Sequence, residues 1–261
     1  MSENITIKSI ECELIKNTTI TNEYFILQFF WDFHSPRAGQ FFMMKPVRSS
    51  VFLQRPISVF EYNNQQKIVK FLIAKRGKGT KELFDLMPGD KVFLTGPLGN
   101  TWAEFLPEDG KVALVGGSIG IAPLAALVAE KPDVFFHFFA GFKQGFRSKE
   151  EENAVMGNAL NSKKLVISAE DGKNALIGRI ADFIYEPQDY SSLFACGNIP
   201  MLRAIKKKCE SKNVPCYISL ESRFGCGVGA CLGCTIRTVN GNRCCCKHGP
   251  IFPANEVLFD D

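Results

Sequence analysis

Short apolar runs separated by turn formers dominate the first hundred residues. The runs 24–30, 41–44, 67–74 and 91–94 are set apart by Ser35-Pro36, Ala38-Gly39, Asn63-Asn64, Pro88-Gly89-Asp90 and Gly96-Pro97. Runs of this length at this spacing predict the strands of a small antiparallel barrel or sandwich. One helix is expected among them, over 81–86, introduced by Gly79-Thr80. From Lys111 the period changes. Strands are predicted at 111–115, 134–140, 164–168 and 192–196, with helices at 122–130 and 201–211. Strands alternating with helices predict a parallel sheet covered by helices. After Val214-Pro215 the chain becomes rich in glycine and cysteine, with few long apolar runs. No internal repeat or low-complexity segment interrupts this order. The expected division is an N-terminal antiparallel β-barrel over 1–104, a parallel-sheet nucleotide-binding domain over 105–216 and a small C-terminal domain over 217–261.

Composition narrows the class of protein. A hydrophobic fraction of 46% with 22% charged residues belongs to a packed chain, and excludes disorder. A net charge of +4 with no strongly basic stretch gives nucleic acid no footprint. Lys206-Lys207-Lys208 reads as the solvated face of a helix. Met1-Ser2-Glu3-Asn4 lacks the basic and apolar regions of a signal peptide. Apolar stretches such as 134–140 fall far short of the ~20 residues a membrane helix needs. The expectation is a cytoplasmic protein with no membrane contact. Six of the ten cysteines lie between Cys226 and Cys246, and such clustering points to a metal site rather than to disulfides.

Cys226, Cys231 and Cys234 are spaced C-x4-C-x2-C, and Cys246 follows Cys234 after eleven intervening residues. That is plant-type ferredoxin spacing, unlike the paired C-x2-C of zinc fingers, and it predicts a [2Fe–2S] cluster. Gly225, Gly227, Gly229 and Gly233 permit a tight loop with φ > 0, so that successive amides face the cluster sulfides. Zinc, the competing occupant, needs no such cage. The fourth ligand stays open on spacing alone, because in an extended segment Cys244 and Cys246 share one face and Cys245 the other. Cys12, Cys209 and Cys216 read as small buried residues.

Two further segments carry cofactor chemistry. Arg55-Pro56-Ile57-Ser58 sits at a strand and offers a guanidinium for bidentate phosphate contacts, with a hydroxyl three residues on. Gly79-Thr80, ahead of a helix, suits a phosphate, although Thr80 also reads as a plain N-cap. In the second half, Gly116-Gly117-Ser118-Ile119-Gly120-Ile121-Ala122-Pro123 joins strand to helix and lets backbone approach a pyrophosphate. Cys196-Gly197-Asn198-Ile199-Pro200-Met201 closes another strand at the carboxyl edge, where ligands of open α/β sheets bind. Lys143, Arg147 and Lys149 follow the second strand of this half; they are candidates to meet the 2′-phosphate of NADP, but read first as solvated side chains, and the choice between NAD and NADP stays open.

In this order the segments resemble the ferredoxin-reductase superfamily. With GKGT (77–80), GPLGN (96–100), EDG (170–172), ACGNIPML (195–202) and CKHGP (246–250), the whole chain is similar to the electron-transfer subunits of NAD-dependent, class 1B dihydroorotate dehydrogenases. The resemblance implies FAD bound by Arg55, Pro56, Ile57 and Ser58, by Leu72, Ile73 and Ala74, and by Gly79 and Thr80. It implies cluster ligands Cys226, Cys231, Cys234 and Cys246, the last chosen because a Lys-x-Gly-Pro run follows it. NAD would meet Gly117, Gly120 and Cys196, with Ser58 near the flavin's reactive nitrogen. Two positions depart from the pattern, both in the nicotinamide segments: Ser118 replaces the first glycine of GxGxxP, and Asn198 replaces the proline of CGPxPM. The implied partner is an FMN-containing catalytic subunit, in a heterotetramer of two of each. Electrons from dihydroorotate would pass from it through cluster and FAD to NAD⁺, in pyrimidine biosynthesis. A reductase subunit serving a hydrogenase or ferredoxin is the related alternative, and a zinc-bearing scaffold the unrelated one.

Overall fold

The computed structural model describes residues 8–259, so the reading of residues 1–4 concerns a segment outside that range. Seven strands form the first sheet: β1 (Lys8–Thr19), β2 (Tyr24–Phe30), β3 (Phe41–Pro46), β4 (Arg55–Ser58), β5 (Glu61–Asn63), β6 (Ile68–Ala74) and β7 (Lys91–Leu98). Their order is β4-β3-β7-β1-β2-β6-β5 and every pairing is antiparallel. The sheet curls until β4 approaches β6, giving a half-barrel rather than a closed one. Phe25, Leu27, Phe29, Trp31, Phe42 and Phe71 fill its inside, with Trp31 edge-on to Phe42 at 4.8 Å between ring centroids. Strand β1 has no apolar run to mark it. Its signal is alternation, with Ile10, Cys12 and Leu14 between Ser9, Glu11 and Glu13.

Helix α1 (Lys78–Phe84) crosses between β6 and β7, and starts three residues earlier than expected. Gly79 and Thr80 therefore lie inside its first turn instead of ahead of it. Thr80 is not the N-cap. Its Oγ1 accepts from the amides of Arg76 at 2.9 Å and Gly77 at 3.1 Å, pinning the turn that enters the helix.

The second sheet contains β8 (Lys111–Gly117), β9 (Phe135–Phe142), β10 (Lys164–Ala169), β11 (Leu176–Ile177), β12 (Ser192–Cys196) and β13 (Cys216–Ser219), all parallel. Helices α2 (Ile121–Glu130), α3 (Lys149–Met156) and α4 (Ile199–Glu210) connect them. The order β11-β10-β9-β8-β12-β13 reverses between β8 and β12, and a crevice opens at the carboxyl ends of those strands. Beyond the hairpin β14 (Thr235–Thr238) and β15 (Gly241–Cys244) comes the single turn α5 (Cys245–His248). The chain then returns as β16 (Ile251–Pro253), antiparallel to β13, at the edge of the second sheet. Strand β13 straddles the division expected at 216, and β16 brings the tail into the same sheet.

The two sheets meet through large and polar contacts. Trp102 stacks on Phe194 at 5.1 Å. Arg37 pairs with Glu130 at 2.8 Å. The lysine triplet of α4 is less solvated than its pattern suggests: Lys206 donates to Val257 O at 2.8 Å, and Lys208 to Ala181 O at 2.7 Å. Among the described residues no helix is long and apolar enough to cross a membrane.

Candidate functional site

A cavity of about 270 Å³ lies where the half-barrel faces the crevice of the parallel sheet. One wall is Pro56, Ile57 and Ser58 of β4 with Leu72, Ile73 and Ala74 of β6; the opposite wall is the glycine turn Gly117–Gly120 with Cys196, Gly197 and Asn198. Thus the two motifs read separately from the sequence face one space. Arg55 lies folded over Gly79, so closely that a Cβ there would stand 2.9 Å from Arg55 Cδ. Its Nη2 donates to Leu53 O at 2.8 Å, while its Nε is buried with no partner in the protein. A buried guanidinium N–H without an acceptor invites an external anion.

On the opposite wall the backbone is packed to its limit. A Cβ at Gly120 would stand 2.1 Å from Cys196 O. Asn198, where the pattern expects proline, caps α4: its Oδ1 accepts from Met201 N at 2.9 Å. The substitution thus keeps the helix start that positions Gly197. Cys196 is buried, and burial, with Glu221 nearby, pushes its thiol up to about 12 despite the opposing Ser219 hydroxyl. It is a neutral packing group at the cavity floor. Lys149 is tied to Glu152 one turn along α3.

The cysteine loop forms a second centre. Cys234 Sγ and Cys246 Sγ are 3.2 Å apart, and the Cys226 thiol accepts from Cys231 N at 3.4 Å. Amides of Val228 (3.4 Å, to Cys226), Gly229 (3.1 Å, to Cys246), Gly233 (3.5 Å, to Cys231) and Cys246 (3.4 Å, to Cys234) also point at sulfur. All four thiols predicted as ligands therefore receive backbone N–H groups. Desolvation pushes the Cys226 thiol up, but the amides of Cys231, Val228 and Ala230 and the Cys231 side chain outweigh it and bring it down to about 6. Burial and Cys234 push Cys246 the other way, to about 12; a bound metal deprotonates such a thiol outright. Among the described residues no group of three or more cysteine, histidine, aspartate or glutamate side chains is gathered closely enough to hold a metal ion. Cys234 and Cys246 meet sulfur to sulfur, whereas Cys226 and Cys231 are joined through a backbone amide.

Two details of the sequence reading change. Only Gly227 (φ +74°) and Gly229 (φ +80°) use the left-handed region; Gly225 and Gly233 do not, and Leu232 does at φ +58°. Gly225 instead leaves room for Cys231 Sγ, 3.0 Å from where a Cβ would be. Nor is the cysteine triplet extended throughout. The strand ends at Cys244 and α5 begins at Cys245, so Cys244 turns to Thr235 Oγ1 at 3.7 Å while Cys246 turns to Cys234. Sequence reasoning missed Arg76 and Glu221, the two charged residues lining the cavity; no spacing marks them, because fold alone brings them there.

Residues 221–258 match the family described as the iron-sulfur cluster binding domain of dihydroorotate dehydrogenase B. The chain is 37% identical to the dihydroorotate dehydrogenase B (NAD(+)) electron transfer subunit of Clostridium acetobutylicum, over 86% of this chain and 87% of that one. To the subunit of the same name from Caldanaerobacter subterraneus subsp. tengcongensis it is 32% identical, over 96% and 98%. Among solved structures, an NADH-dependent reduced ferredoxin-NADP oxidoreductase superposes with a TM-score of 0.78 at 23% identity, covering 95% of this chain and 89% of that one. A ferredoxin NADP+ reductase from Neisseria gonorrhoeae with bound FAD and NADP gives 0.64 at 17% identity, over 78% and 91%. These two likenesses are of fold.

Proposed function

The chain belongs to the family of electron-transfer subunits of NAD(+)-dependent dihydroorotate dehydrogenase B, and on that premise we propose the sites at which it does this work. FAD lies along Arg55 to Ser58, Leu72 to Ala74 and Gly79-Thr80; a [2Fe–2S] cluster is held by Cys226, Cys231, Cys234 and Cys246; NAD⁺ enters against Gly117, Gly120 and Cys196. When bound, FAD and a [2Fe–2S] cluster supply exchange between hydride and single-electron chemistry. The chain's own residues have three tasks. Arg55 offers its orphaned Nε to a diphosphate oxygen. The five amides directed at the four sulfurs would donate to them when they bind the cluster. Cys196, kept protonated by burial, closes the cavity floor without adding charge.

One observation carries the reading. Gly227 of the cysteine loop packs on Met43 of β3, so closely that a Cβ would meet Met43 Cγ at 2.5 Å. Met43 pairs across the ladder with Pro56 of β4. Neighbouring strands are about 4.8 Å apart, so a single strand separates the cysteine loop from the Arg55–Ser58 segment. A carrier held by the cysteine loop and one held along β4 would both rest on β3, whose pairing with β4 fixes the two segments relative to each other.

As an electron-transfer subunit the chain works with a catalytic subunit. We infer that this partner carries FMN and oxidises dihydroorotate, that two of each subunit assemble in the cytoplasm, and that this chain alone does not oxidise dihydroorotate. Co-expression with the catalytic subunit of the same organism, cofactor analysis and a dihydroorotate–NAD⁺ assay test this. Expected are FAD, iron and sulfide on this chain and NADH formation by the complex. A colourless, zinc-loaded protein would sink the cofactor assignment, and co-purification with a hydrogenase would sink the partner.

A further inference from the structure

Side chains from both sheets meet at one atom on the rim of the cavity. Tyr24 Oη lies 2.7 Å from Ser118 Oγ, and Arg76 Nη2 donates to the same Ser118 Oγ at 2.9 Å. Arg76 Nη2 also pairs with Glu23 at 3.2 Å. Tyr24 opens β2 opposite Ala74, the last residue of β6, and Arg76 follows two residues later, so one end of the half-barrel delivers both groups. Ser118 occupies the glycine turn of the other sheet at φ +52°, a conformation uncommon outside glycine. Glycine would relax that backbone but would offer no atom to receive a guanidinium. Among the described residues lining the cavity, Arg76 is the single cation.

We propose that Arg76, held across the cavity by Ser118, binds the diphosphate of the nicotinamide dinucleotide. The inference rests on the reading of NAD⁺ as the acceptor at this cavity. A dinucleotide seated on the glycine turn places its diphosphate against backbone amides on one side. Arg76 supplies the opposing charge from the other sheet, with a fork suited to phosphate oxygens. Its present partners yield readily: Ser118 is neutral, and the pair with Glu23 is exposed and of the kind that contributes little. Arg55 and Arg76 then divide the two diphosphates, the flavin's beside α1 and the nicotinamide's beside α2.

The test uses the full chain, purified with its flavin, as parent, Arg76→Ala, Arg76→Lys and Ser118→Gly. Each is titrated calorimetrically with ADP-ribose, which keeps the diphosphate and lacks the nicotinamide. Loss of a charge-assisted contact is expected to weaken ADP-ribose binding by about tenfold or more in Arg76→Ala, with FAD content equal to the parent's. Arg76→Lys recovers part of the loss, and Ser118→Gly, which frees the guanidinium, shows a smaller weakening. ADP-ribose binding to Arg76→Ala as tight as to the parent overturns the proposal. So does loss of FAD from Arg76→Ala, which would give this cation to the flavin's diphosphate. The parent's visible spectrum reports separately on the cofactor assignment: absence of flavin bands would sink that reading whatever the titration shows.

Discussion

Exchanging Cys246 for serine, and separately Cys244 for serine, distinguishes two thiols only two residues apart. Cys246 Sγ stands 3.2 Å from Cys234 Sγ and accepts the Gly229 amide at 3.1 Å. Cys244 closes β15, is buried, and has Thr235 Oγ1 as its near polar neighbour at 3.7 Å. A serine at 244 finds that hydroxyl as a hydrogen-bond partner, so its cost to folding is about 1 kcal/mol. The cost at 246 is of another kind. Metal sites that stabilise small folds contribute on the order of 10 kcal/mol or more. One of four thiolates then accounts for about 3 kcal/mol, a factor of more than 100 in cluster retention at about 1.4 kcal/mol per decade. The assay is iron and acid-labile sulfide per chain, with the visible spectrum, after anaerobic purification. Cys246→Ser should emerge almost iron-free with its flavin in place, and Cys244→Ser with the parent's iron. The reverse result would refute the ligand assignment and the geometric reasoning behind it, while leaving the cluster itself standing.

Three further outcomes are expected. Arg55→Ala removes the guanidinium whose Nε is buried and unpartnered; FAD binding should weaken by about 1.5–3 kcal/mol, read as flavin lost on gel filtration, and unchanged retention would count against Arg55 as the phosphate ligand. Asn100→Ala removes two reciprocal bonds to Ile251, at 2.8 and 3.1 Å; at about 1 kcal/mol each the denaturant midpoint should fall visibly, and an unchanged midpoint would deny this tie its role. Burial raises the Cys12 thiol from 9.0 to about 11. The folded protein therefore resists ionisation that the unfolded chain accepts, and the stability associated with this group is intact below pH 9 and declines as pH rises from 9 toward 11. Cys12→Ala should flatten that part of the stability–pH profile, and a profile identical to the parent's would refute the assignment.

What the sequence reveals of this molecule follows from how local each signal is. Cys226, Cys231 and Cys234 lie within nine residues, and the loop that gathers them is built from its own glycines, so spacing alone marks them as a candidate site. The choice between Cys244 and Cys246 is not local: it depends on the end of β15 and the turn of α5, which reverse the alternation an extended chain would show. Strands β2, β3, β6 and β8 announce themselves as apolar runs, whereas β1 is half solvated and β16 is three residues long. The glycine turn is visible, but its facing of β4 and β6 is not, since Ser58 and Gly117 come to line one cavity only once both sheets have folded. Arg76 and Glu221 are hidden for the same reason. An exposed-looking arginine after a strand carries no mark of the cavity it lines.

The tail that carries the cysteine loop is bound to the body of the protein in a way that bears on its task. Phe224 meets Phe41 edge-on at 5.1 Å, Gly227 seats on Met43 and Leu98, and Asn100 N donates to Gly249 O at 2.8 Å. These contacts fix the loop to β3 and to the end of β7. Strand β16 fixes the other end of the same segment to β13. Among the described residues of the tail, the hairpin β14–β15 is its one regular sheet, and two strands alone are marginal in water. The buried side chains of the loop accordingly share one apolar cluster with Val115, Leu193 and Ile218 of the parallel sheet. A cysteine loop that borrowed less support would move independently of β4, and the separation set by the Met43–Pro56 pairing would not be maintained. Anchoring the loop to both sheets makes that separation a property of the whole fold. It also explains why the GPLGN and CKHGP segments, neither of which presents a side chain to the cavity, accompany the cysteine spacing: Asn100 and Gly249 are the two sides of one joint.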